Sequence, residues 1–240
     1  MRSPAGFTLV ELLIAMVIML VVTGALVALV DPARGVFQAQ PEMADMHQRL
    51  RVAVDALASD LLRAGAGVAP TVAPPVVPYR IGASESDPDR AVFYRPDVVS
   101  AVFVPWTDTA VVSRTYYLRR DPAAGTPQLM RYDGGASDLP VVDHVVGLGF
   151  EYFDGAGPID PAALQDGPWI SGGAVAPFDA DLLRVRRVRA TVRIEAALAS
   201  MRGPAGALFA RGGTSTSSAR YAPDLEVRVD IALRNVSADR

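Results

Sequence analysis

The sequence predicts an α+β fold in which one long N-terminal helix packs on an antiparallel β-sheet. Three observations predict it. Residues 7–30 form an apolar run broken by a single charge, Glu11. Met46, Leu50, Val54, Leu57 and Leu61 then recur at three- and four-residue spacing, the stripe of an amphipathic helix. Late in the chain, Val188, Ala190, Val192 and Ile194 alternate with Arg189, Thr191 and Arg193. Leu225, Val227, Val229, Ile231 and Leu233 alternate in the same way with Glu226, Arg228 and Asp230. Period two with one apolar face is the pattern of a half-buried sheet. Helix first and strands afterwards gives a helix laid on a sheet. The 240 residues suit one such domain plus an anchor.

Taken in order, the apolar run would span roughly 36 Å as a helix, at about 1.5 Å per residue. That exceeds the hydrocarbon core of a bilayer, about 30 Å. The run is too long for an ordinary secretory signal, and no small-residue cleavage site follows it. Asp31-Pro32 closes it, and Pro41 is a second expected interruption, because proline forfeits a helical hydrogen bond. The amphipathic stripe reads as a second helical stretch over 42–64, with Arg49, Arg51, Asp55, Asp60 and Arg63 off the apolar face. Gly65, Gly67 and Pro70 stop it.

Residues 65–90, rich in Pro, Gly, Ala and Ser, read as an irregular connection in which Val76 and Val77 can pack. From residue 91 the pattern changes to strands. They are expected over 91–95, 98–104, 111–118, 128–132 and 141–153, then 188–194 and 225–233. A Gly- and Ser-rich loop is expected over 201–223. The expected organisation is therefore 1–6, 7–30, 31–64, 65–90 and a sheet domain over 91–240.

Composition narrows the function. A net charge of −3 gives no electrostatic case for nucleic-acid binding. The absence of Cys excludes a disulfide framework, a thiolate nucleophile and a Cys-based zinc site.

Glu11 is the anomaly. A carboxylate at the centre of a membrane helix costs about 2.5–3.5 kcal/mol on the insertion scale, less near the end. Such a group calls for a partner. The surrounding residues, Gly6-Phe7-Thr8-Leu9-Val10-Glu11-Leu12-Leu13-Ile14, resemble the processing site of type IV prepilins and pseudopilins. That resemblance implies a pilin fold. It implies cleavage between Gly6 and Phe7 by a prepilin peptidase, with residues 1–6 as leader, and N-methylation of Phe7. It also implies that Glu11 pairs with the N-terminal amine of a neighbouring subunit. The implied partners are other pilin or pseudopilin subunits, an inner-membrane assembly platform, and membrane lipid before assembly. The implied location is the inner membrane with the C-terminal domain outside, then the filament. No cofactor is implied, and the expected role is structural rather than enzymatic. Residues 49–65, 118–132, 145–154 and 225–235 resemble the corresponding parts of PilW-type minor pilins and J-type minor pseudopilins. The size of the chain, together with this resemblance, implies a minor pilin that primes or caps a type IV pilus. Two alternatives stay open: a minor pseudopilin of a type II secretion system, and a binding domain on a simple membrane tether.

Three other constellations have plainer readings. Asp143-His144 with a serine could suggest a hydrolytic triad, but no Gly-x-Ser-x-Gly elbow is present, and His47 and His144 are the only histidines. Asp154-Gly155-Ala156-Gly157 with Asp160 and Asp166 could suggest calcium, but the spacing is not that of an EF-hand, and turn chemistry explains it. Arg184, Arg186, Arg187, Arg189 and Arg193 read as the solvated face of a strand.

Overall fold

A computed structural model describes residues 8–81, 94–120, 126–134, 138–172, 175–202, 222 and 224–236. Its first element is one helix, α1, spanning Leu9–Leu61. At 53 residues it is about 80 Å long. The breaks expected at Asp31-Pro32 and at Pro41 do not occur, since α1 stays helical through both. At Pro41 the physical reason is packing. Ala39 and Glu42 on either side are already buried, and the loss of one backbone bond does not outweigh that docking.

The buried stripe of α1 is Ala39, Met46, Ala53, Leu57 and Leu61, with Leu50 and Val54 half-buried. The two alanines let the helix approach the sheets closely. Asp60 was expected off this stripe and instead lies in it. The helix ends at Leu62, and Gly65 and Gly67 follow with φ of 81° and 68°. At Gly65 the requirement is double. A Cβ would sit 2.9 Å from the Asn235 carbonyl oxygen, while the Asn235 side chain donates to the last carbonyls of the helix, at Leu62 and Arg63.

Among the described residues ten strands follow: β1 (Val76–Val77), β2 (Val99–Phe103), β3 (Val112–Arg119), β4 (Gln128–Tyr132), β5 (Asp138–Asp143), β6 (Val145–Phe153), β7 (Trp169–Gly172), β8 (Val175–Asp179), β9 (Arg187–Ile194) and β10 (Leu225–Ala232). They form a five-stranded sheet, β1-β2-β3-β4-β5, a three-stranded sheet, β10-β9-β6, and the β7-β8 pair. All pairings are antiparallel. Helix α1 packs across β9, β10 and β5, so it touches both larger sheets.

The expected single run over 141–153 is two strands in two sheets. His144 between them has φ of 61°, a left-handed corner that lets β5 pair with β4 while β6 pairs with β9. Val76 and Val77, inside the expected irregular connection, are fully buried and pair with β2. The expected strand at 91–95 lies largely outside the described residues, and Tyr94 and Arg95 are not in a strand. Most of the expected loop at 201–223 is likewise outside them.

The core lies between α1 and the inner faces of both sheets. Along β9 the alternation is complete, with Val188, Ala190, Val192 and Ile194 all buried. Along β10 only Ile231 is fully buried, with Leu225, Val227 and Val229 packed at its margin. A smaller cluster of Val98, Tyr117, Met130 and Tyr132 is roofed by Arg80, whose guanidinium carbon lies 3.7 Å from the Tyr132 ring centre.

Candidate functional site

The candidate site is the N-terminal end of α1. Over Leu9–Ala28 the helix is long and apolar enough to cross a membrane, and none of it is buried in the protein. Its one charge is Glu11. The Glu11 carboxylate does not point away from its own chain: Oε2 accepts from the Thr8 backbone N–H and from the Thr8 hydroxyl, each at 2.9 Å. In return Thr8 Oγ1 accepts from the Glu11 N–H at 3.2 Å. This is a capping box, with two otherwise orphaned donors satisfied reciprocally and the carboxylate set at the positive end of the helix dipole. Gly6 and Phe7 lie outside the described residues. The reading of the sequence missed Thr8, although Thr-x-x-Glu ahead of an apolar run is the signature of such a cap.

The far half of α1 is held to the sheets by charges as well as by apolar contacts. Glu42 is buried and accepts from the Ala197 N–H and from Arg49 Nη2, the latter at 3.4 Å. Arg49 also pairs with Asp45 at 2.6 Å and reaches the Glu195 carbonyl at 3.4 Å. Three to four turns on, Asp60 takes Arg114 of β3 at 2.7 Å and the Tyr116 hydroxyl at 2.6 Å. Desolvation, with the Asp60 charge beside it, pushes the Tyr116 phenol well above its ordinary pKa.

The other constellations resolve into structural roles. Asp143 accepts from the Gln128 amide at 2.7 Å. His144 faces elsewhere, with Nδ1 3.2 Å from Arg202 Nη2 and 3.6 Å from Glu195. His47 is exposed on α1. Asp154 Oδ1 accepts from the Ala156 and Gly157 N–H groups at 2.8 and 2.9 Å, and Arg184 contacts its other oxygen at 2.7 Å. The Gly157 bond first, then those of Ala156 and Arg184, hold its pKa below the usual carboxylate value. Asp160 caps the short 3-10 turn at Pro161–Leu164. Asp166 stands instead with Asp179 and Asp181. There the Asp179 carboxylate is engaged by the N–H groups of Gly167 and Asp181, at 2.6 and 2.8 Å. The arginines of β9 form a ladder with neighbouring acids: Arg187 and Arg189 with Asp230, Arg189 with Glu151, and Arg193 with Asp224.

Residues 1–27 match the family model described as the prokaryotic N-terminal methylation motif. Among solved structures the chain is similar to the type IV-like pilin TTHA1219 from Thermus thermophilus. The identity is 15%, the alignment covers 80% of this chain and 98% of that one, and the TM-score is 0.44. No curated protein matches the chain. The chain thus carries the N-terminal methylation motif at the head of an apolar helix that the protein does not bury, and antiparallel sheets follow that helix.

Proposed function

We propose that the chain is a minor pilin subunit that primes or caps assembly of a type IV pilus. The observation that carries this reading is a single carboxylate, Glu11, inside an otherwise uncharged, fully exposed segment of α1, Leu9–Ala28, within the matched methylation motif. A prepilin peptidase cuts between Gly6 and Phe7, and the new amine of Phe7 is methylated. The amine and the Glu11 carboxylate of a neighbouring subunit then pair. Each ion costs several kcal/mol to take out of water alone, and pairing offsets much of that. Until a neighbour arrives, Thr8 supplies the donors that keep Glu11 satisfied in its own chain. The size of the domain, carried on one continuous helix, supports a minor rather than a major role.

Mass spectrometry of the mature protein tests the proposal. The expected chain starts at N-methylated Phe7, and a working protein that retains Met1 overturns it. Glu11→Ala is expected to insert and be processed but to be left out of filaments. Equal incorporation of this variant removes the pairing role.

A further inference from the structure

A cluster at the corner between the two larger sheets is left unused by that reading. His144, the left-handed residue between β5 and β6, places Nδ1 3.2 Å from Arg202 Nη2 and 3.6 Å from Glu195 Oε1. Arg202 Nη2 lies 3.3 Å from the same Glu195 oxygen. One ring nitrogen thus stands between a cation and an anion. The side chains of His144, Arg202 and Glu195 are 14%, 33% and 17% exposed, so the triangle is partly shielded from water.

An arginine can only donate, so Nδ1 accepts from Arg202 and the ring proton of the neutral imidazole sits on Nε2. Histidine is the side chain whose charge ordinarily changes between about pH 5 and 8. A protonated ring has a hydrogen on both nitrogens, so Nδ1 then loses Arg202 and turns to the Glu195 carboxylate. Arg202 has further duties. Its Nε donates to the Ala196 carbonyl at 2.9 Å and its Nη2 to the Ala197 carbonyl at 3.2 Å. Beside it the Ala222 N–H donates to the Met201 carbonyl at 2.6 Å, and Arg202 and Ala222 form an isolated parallel bridge. Met201 and Ala222 are buried. Arg202 therefore ties this bridge to the segment after β9, where the Ala197 N–H donates to Glu42 of α1.

We propose that His144 is a proton-operated switch on this clasp: neutral, it holds Arg202 in place, and protonated it repels Arg202, takes Glu195 and loosens the Met201–Ala222 bridge. The other charges around the triangle have their own partners. On α1, Arg49 reaches the Glu195 carbonyl and Glu42, both at 3.4 Å. On β5, Asp143 accepts from the Gln128 amide at 2.7 Å. On β9, Arg193 lies 3.7 Å from Asp224. Burial first, and also the charge of Glu195, raise the Asp224 pKa against the pull of Arg193, so Asp224 is the rival proton acceptor. The switch belongs to the head alone and does not depend on processing at Phe7 or on the filament reading.

The test uses the full-length protein, nitrogen-15 labelled, in detergent micelles. At about pH 8 the His144 ring is expected as the Nε2–H tautomer, with His47→Gln assigning the two histidine signals. An Nδ1–H tautomer overturns the switch, since Arg202 would have no acceptor there. Between about pH 7.5 and 5.5 the protection of the Ala222 N–H against exchange is expected to fall about tenfold. The reference is the Val104 N–H, which donates to the Ala66 carbonyl beyond the end of α1. The loss must track the His144 ring signal through the titration, and a mismatch overturns the switch. His144→Asn keeps the corner, because asparagine tolerates left-handed backbone, and its Oδ1 is an acceptor that does not titrate. In that variant Ala222 protection is expected to stay constant. Unchanged protection in the wild-type chain overturns the switch, and so does an equal fall in both chains, which would assign the effect to Asp224.

Discussion

Asp60 of α1 and Arg114 of β3 meet at 2.7 Å, and the carboxylate residue is only 2% exposed. The second Asp60 oxygen takes the Tyr116 hydroxyl at 2.6 Å. The helix is therefore fastened to the five-stranded sheet by a charge that has left water and has both oxygens satisfied by protein donors.

Asp60→Ala is expected to destabilise the fold by about 2 kcal/mol, because Arg114 loses its buried partner and the Tyr116 hydroxyl keeps only the Ala56 carbonyl, at 3.1 Å. Tyr116→Phe removes the hydroxyl shared between Asp60 and the Ala56 carbonyl and is expected to cost about 1 kcal/mol. Urea unfolding followed by circular dichroism measures both, and an Asp60→Ala cost below that of Tyr116→Phe would contradict this account.

Gly65→Ala combines a left-handed backbone with a Cβ 2.9 Å from the Asn235 carbonyl oxygen and 3.2 Å from Pro75 Cβ. The expected loss is about 2–3 kcal/mol. Gly155→Ala meets nothing within 4 Å and is the matched control, with an expected change within about 0.5 kcal/mol. Thermal unfolding of the two variants side by side decides it.

Alkaline pH is expected to unfold the domain. Burial, with Asp179 and Asp138 nearby, raises Tyr79 and Tyr117 to about 12. Desolvation also raises Tyr94, Tyr116 and Tyr152. The folded pKa values lie above the unfolded value of about 10. Their stabilisation is thus complete below pH 10 and is lost as pH climbs from there through the folded values. Phenolate absorbance near 295 nm should rise in step with loss of circular dichroism. Early, reversible ionisation of most tyrosines in a folded chain would be the contrary result.

At the other end of the helix, Thr8→Ala is expected to weaken the first turn by about 1 kcal/mol, and Thr8→Ser to restore it. Amide exchange at Glu11 in micelles should accelerate about fivefold in the alanine variant alone. Identical exchange in all three chains would dismiss the cap.

Much of this architecture was legible in residue patterns. The strict alternation over Arg187–Ile194 became a strand with every second side chain buried, and the stripe through Met46, Leu57 and Leu61 became the docked face of α1. Residues 1–27 carried their motif openly. What escaped was set by partners distant in sequence. Asp60 looks like a surface charge until Arg114 and Tyr116 are folded against it. Pro41 looks like a stop until its neighbours are seen to be buried. Val141 to Phe153 reads as one strand because its corner is a histidine rather than a glycine. The β7–β8 pair is too short for periodicity to announce it, and Thr8 was overlooked beside the more conspicuous Glu11.

Because α1 runs from Leu9 to Leu61 as one helix, its apolar end and its docked half share one unbroken run of helical backbone. Whatever pulls on the lower end of this rod transmits tension straight into the sheets. That tension is shared between two anchorages, Glu42 with Ala197 near the base of the head and Asp60 with Arg114 towards its top.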